Sequence, residues 1–131
     1  MRASVRRQVR IARTADEVWA MVGDPSRVAE WFPGIESATV EGTSRTIVTS
    51  AGIPMPEVIL TNDPLQRRFQ YRLQTPIFKE HLSTLDVFDL GDGTSLVSYA
   101  ADADPATMAL VIAGAAGAAL HHLRALLEGA D

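Results

Sequence analysis

Few side chains in this sequence can do chemistry: three histidines, two tyrosines, two tryptophans and scattered carboxylates, with no cysteine. Without a thiol there is no disulfide, no thiolate metal site and no cysteine nucleophile. His81 is the leading acid–base candidate. It shares a strand face with Ser83, Leu85 and Val87, and an imidazole titrates near neutral pH. A lone histidine on an apolar face can equally be a hydrogen-bonded lining residue. Glu80 and Asp86 fall on the opposite face of a regular strand, so a histidine–carboxylate pair there would need a bulge. The catalytic residue is therefore left unassigned, with His81 as the weak candidate. Tyr71 and Tyr99 can orient a ligand carbonyl or hydroxyl, or fill space with their hydroxyls at the wet end.

Other constellations fail on geometry. His121 and His122 are adjacent on a helix and point about 100° apart, which is not the i, i+4 arrangement of a helical zinc site. Gly91-Asp92-Gly93 suits a hairpin turn and lacks the lysine and strand-to-helix setting of a phosphate cradle. No serine sits in a nucleophile elbow. No metal and no cofactor is expected.

The elements that must position these residues follow from punctuation and periodicity. The chain of 131 residues, 47% hydrophobic and 21% charged, reads as one domain over 1–131 that can bury a core without staples. Val5, Val9 and Ile11 alternate with Arg6, Gln8 and Arg10, as in a half-buried strand with a solvated outer face. Thr14 and Glu17 form a capping-box pattern, predicting a helix over 15–22 that stops at Gly23. Asp24-Pro25 opens a second short helix carrying Val28, Trp31 and Phe32, ended by Pro33-Gly34. Strands are predicted over 35–41, 44–50, 57–62, 68–74, 78–90 and 95–103, with Phe69, Tyr71 and Leu73 on one face. Asp104 is expected to cap, and Pro105 to start, a closing helix that runs to Glu128.

That helix carries Met108, Ile112, Ala115, Ala119 and His122 along one stripe, and has nothing larger than a methyl group from Ala113 to Ala119. Missing volume against a curved sheet predicts a hollow there. The same small residues would also let the helix lie tight on the sheet or on a second subunit.

A net charge of −4 gives no reason to expect nucleic acid or an anionic membrane as partner. The uncharged run 105–120 is shorter than the roughly 20 residues a bilayer requires, so no integral membrane segment is expected. No apolar core follows the N-terminal arginines, so a secretory signal is not expected and the protein reads as cytoplasmic.

Taken together, Val9-Arg10-Ile11-Ala12, Asp16-Glu17-Val18-Trp19, the Asp24–Arg27 turn, Trp31-Phe32-Pro33-Gly34-Ile35, Phe69–Leu73, Gly91–Thr94 and Leu120, Leu123, Leu127 and Glu128 resemble the SRPBCC superfamily, the START-related and polyketide-cyclase-like helix-grip proteins. The resemblance covers nearly the whole chain. It implies an α+β helix-grip fold: seven antiparallel strands curved around a long C-terminal helix, two short helices after the first strand, and an apolar pocket. It implies binding of lipids, sterols, quinones or polyketides and carries no shared catalytic residue. The expected lining is Trp31 and Phe32 at the mouth, with Tyr71, His81, Tyr99, Met108, Ile112 and Ala115 within. Three functions stay open: carriage of a small hydrophobic ligand, a cyclase/aromatase reaction using His81 or a tyrosine, and a protein-interaction or quinone-chaperone module whose 53–56 loop forms an apolar rim. A monomer or a homodimer fits each.

Overall fold

The computed structural model describes residues 1–129. A nine-residue strand, β1 (Ala3–Ile11), leads into α1 (Ala15–Val22), a 3-10 turn at Pro25–Arg27 and the single-turn helix α2 (Val28–Trp31). Six more strands follow: β2 (Ile35–Glu41), β3 (Ser44–Thr49), β4 (Pro54–Asp63), β5 (Arg68–Leu73), β6 (Glu80–Asp89) and β7 (Ser95–Asp104). The chain closes with α3 (Ala106–Glu128). All pairings are antiparallel in the order β1-β7-β6-β5-β4-β3-β2, so the first strand returns beside the last.

The capping box at α1 forms in both directions: Thr14 Oγ1 accepts from Glu17 N, and Glu17 Oε1 accepts from Thr14 N, each at 3.2 Å. Asp24 Oδ1 accepts from Ser26 N at 3.0 Å and so caps the 3-10 turn. These local bonds fix two tight corners between β1 and β2, where the chain must cross one end of the sheet.

Two expectations need correction. Ile53-Pro54-Met55-Pro56 is not a loop, because β4 starts at Pro54 and pairs Met55 with Ile47 and Pro56 with Thr46. The ladder of β5 on β4 begins at Glu57; just ahead of it the Pro56 carbonyl accepts from Gln74 N at 2.8 Å, and outside the ladder an absent proline N–H is tolerated. Asp104 does not cap α3. It ends β7, its carbonyl accepts from Lys79 N, and Pro105 takes the N-cap position without a side-chain bond.

α3 is 23 residues long, about 35 Å by helical rise, and packs on β1 and β7. By length and composition it would pass for a membrane span; here it is the core helix of the fold. Its C-terminus ends on Gly129 at φ 70°, a left-handed cap that suits glycine. Glu128 Oε2 accepts from Ala12 N at 2.8 Å and ties this end to the end of β1. The buried face of the helix is Ala109, Ala113, Ala116, Ala119, Leu120 and Leu123, and His122 is exposed instead of continuing the predicted stripe. Small residues let this face lie close to Ala101 and Ala103, which are buried on β7. Tight packing and a hollow therefore coexist on the two sides of one helix.

Candidate functional site

The hollow is a cavity of about 270 Å³ between α3 and the concave sheet. Phe32 through Ile35, after α2, form one wall. Ile47, Met55 and Leu73 floor it from successive strands, and Met108, Val111, Ile112 and Ala115 roof it from α3. The alternation of β3, β4 and β5 sends these residues to one face. Of the residues expected from sequence, Phe32, Tyr71, His81, Tyr99, Met108, Ile112 and Ala115 border the cavity. Trp31 does not. It is buried behind the wall, with its ring centroid 5.9 Å from Phe32 and 6.3 Å from Tyr99, and its indole N–H has no hydrogen-bond partner.

Polar groups gather on the strand side. The Tyr71 and Tyr99 hydroxyls share a short hydrogen bond. Burial raises the pKa of both phenols, with the neighbouring Glu57 carboxylate adding to the effect, so each is a neutral hydroxyl. His81 is engaged at both nitrogens: Nδ1 accepts from Leu73 N at 2.9 Å, and Nε2 lies 2.8 Å from Ser83 Oγ. The backbone donor fixes the tautomer, leaving the proton on Nε2 and making Ser83 its acceptor. Burial pushes the His81 pKa down to about 4, against a smaller opposing pull from Asp102. The ring is thus a neutral donor whose basic lone pair is already in use.

Sequence reasoning missed the most polar pair in the cavity. Arg45 on β3 and Glu57 on β4 face each other in the ladder, 4% and 3% exposed, with Nε donating to Oε1 at 2.6 Å. Arg45 Nη1 also donates to Pro25 O at 3.1 Å, and its guanidinium carbon lies 5.1 Å from the Tyr71 ring centroid and 5.3 Å from that of Phe69. Aromatic faces favour a cation in this position. Burial pushes the Glu57 carboxyl up, and the adjacent Arg45 offsets part of that rise. A signal was present in the sequence: Arg45 stands two residues before Ile47, and Glu57 two after Met55, so period two puts both charges inward.

Arginine, carboxylate, two phenols and an imidazole can thus bind and orient an oxygen-bearing end of an otherwise apolar molecule. Among the described residues no group of histidine and carboxylate side chains has the geometry to hold a metal ion.

Solved structures share this architecture. An uncharacterised protein from Bacillus thuringiensis superposes with a TM-score of 0.88 at 21% identity, covering 95% of this chain and 98% of its own. The Zhui aromatase/cyclase from a Streptomyces species gives 0.79 at 20% identity, covering 98% and 94%. Norcoclaurine synthase from Thalictrum flavum, in complex with dopamine and hydroxybenzaldehyde, gives 0.78 at 14% identity, covering 100% and 89%. At such identities the likeness is one of fold. No curated protein sequence matches the chain. The family model described as polyketide cyclase / dehydrase and lipid transport matches residues 2–128, nearly the whole helix grip and every residue around its cavity. The chain therefore belongs to that family, within the SRPBCC superfamily.

Proposed function

We propose that this protein binds a small hydrophobic ligand in the cavity between sheet and α3, for storage or transfer. One observation carries the reading: a space of about 270 Å³, walled mainly by apolar side chains, has its polar groups collected on one side. Affinity would come from buried apolar area, and orientation from Tyr71, Tyr99, His81 and Arg45. In this reading Phe32, Met108, Ile112 and Ala115 touch the ligand, and Trp31 supports Phe32 from behind. The protein works in the cytoplasm as a monomer or homodimer. Native mass spectrometry of freshly purified protein, followed by organic extraction, tests it together with tryptophan-fluorescence titrations of fatty acids, quinones and aromatic polyketides. An empty extract with no saturable response would overturn it.

The buried polar groups favour a second reading, a cyclase-type enzyme. There the cavity folds a reactive chain, and hydrogen bonds from the tyrosines or Arg45 stabilise a developing enolate oxygen. Both nitrogens of His81 are occupied, so it would donate through Nε2 rather than act as a base. Conversion of a poly-β-ketone by wild type, lost a hundredfold or more in Tyr71→Phe with binding retained, would place the enzyme ahead of the carrier.

A further inference from the structure

The Arg45–Glu57 pair puts a full charge of each sign inside an apolar cavity. With Arg45 Nε donating to Glu57 Oε1 at 2.6 Å, the arginine's charge is already matched. The bonds within the protein use Nε, Nη1 and Oε1, which leaves Nη2 and Oε2 of two cavity-lining residues for a ligand. A carboxylate or sulfonate entering here would gain from Arg45 and lose to Glu57 at similar distances. Its own desolvation cost would go unreturned. A neutral carbonyl or hydroxyl carries no such cost and can still accept from Nη2 or a tyrosine hydroxyl.

The walls add shape. Phe32, Tyr71, Phe78 and Tyr99 all present rings to the cavity. An apolar cavity on the order of 150 Å³ takes benzene, so about 270 Å³ suits two or three fused rings.

We propose that the Arg45–Glu57 pair makes this cavity selective for uncharged aromatic ligands of two or three rings bearing a carbonyl or hydroxyl oxygen, and that Glu57 is the residue that rejects anions. The proposal rests on the cavity being a ligand site, and the test separates the two. Three probes of one skeleton are titrated by calorimetry: naphthalene, 2-naphthol and naphthalene-2-sulfonate. Wild type is expected to bind 2-naphthol at least tenfold more tightly than naphthalene, and the sulfonate at least a hundredfold more weakly than 2-naphthol. Glu57→Gln, which leaves Arg45 unmatched, is expected to bind the sulfonate at least tenfold more tightly than wild type does. The double variant Arg45→Met, Glu57→Met holds no buried charge and keeps the test decisive if Glu57→Gln does not fold. It is expected to keep naphthalene binding and lose the tenfold advantage of 2-naphthol. Wild type binding the sulfonate as tightly as 2-naphthol, or showing no preference for 2-naphthol over naphthalene, overturns the selectivity alone. So does a folded Glu57→Gln with no sulfonate gain, or a double variant that keeps the 2-naphthol advantage. No binding of any probe by wild type overturns the ligand site itself, and the selectivity with it.

Discussion

His81 shows how a residue's chemistry is set by its surroundings. A backbone N–H occupies Nδ1, so protonating the ring must break the bond from Leu73. Its pKa in the fold is about 4 against an ordinary 6.5, so as pH falls the unfolded chain takes up the proton first. The stabilising contribution is full above pH 6.5 and drains away as pH falls towards 4, amounting to about 3 kcal/mol over that window. Urea unfolding at pH 7 and pH 4.5 checks this: wild type is expected to lose more stability on acidification than His81→Gln. Glu57, shifted the opposite way, titrates in both proteins and cancels from the comparison. Equal losses would show that the imidazole is not held neutral. At this scale the sequence made Tyr71, His81 and Tyr99 visible through strand parity. Arg45 and Glu57 stayed hidden because single charges in strands are ordinarily solvated, and only the register of β3 on β4 brings the two together inside.

Elements were more legible than residues. Caps at Thr14 and Asp24 and the glycine after α1 gave the boundaries directly, because each satisfies specific backbone donors or terminates a helix. Pro54 and Pro56 hid the start of β4, since proline is tolerated in a strand only where a flank is unpaired, and that is a property of the neighbouring strand's length. The small residues of α3 were visible as a group, but which of them face open space depends on how the helix is rotated against the sheet. Ala115 lines the cavity, whereas Ala113 and Ala116 are buried in the packed face. Ala115→Leu should therefore fill empty space, leave the urea midpoint of the ligand-free protein unchanged or slightly raised, and weaken ligand binding at least tenfold. A loss of about 1–3 kcal/mol would mean overpacking and no cavity at that position. Gly23 makes the opposite case. Its backbone is helical and open to any residue, yet a Cβ there would come within 2.4 Å of the Trp19 indole. Gly23→Ala gains about 0.4–1 kcal/mol by restricting the unfolded chain. Displacing the indole is expected to outweigh that gain, for a net destabilisation of about 1–2 kcal/mol in equilibrium unfolding.

For the whole molecule, the grip geometry accounts for why packing is incomplete. A sheet curved enough to wrap a helix meets it closely on one side only: α3 lies on β1 and β7, and β3, β4 and β5 curve away across the cavity. Closing that gap would require larger side chains at Ala115 or on the strands opposite, so the empty protein forgoes part of its possible apolar burial. A ligand that fits restores it, and because only the folded state can bind, occupancy must raise stability. At a free ligand concentration a hundredfold above Kd the gain is about 2.7 kcal/mol. In a domain of 131 residues that corresponds to a Tm increase of about 10 °C. The increase should scale with the logarithm of ligand concentration, and at the same concentration Ala115→Leu should cut it to about half or less without lowering the Tm of the empty protein. A ligand that raises the Tm of both proteins equally acts somewhere other than the cavity. A cavity ligand that leaves the Tm of wild type unmoved at saturation would mean that binding is as strong to the unfolded chain as to the grip, contrary to everything the packing of α3 requires.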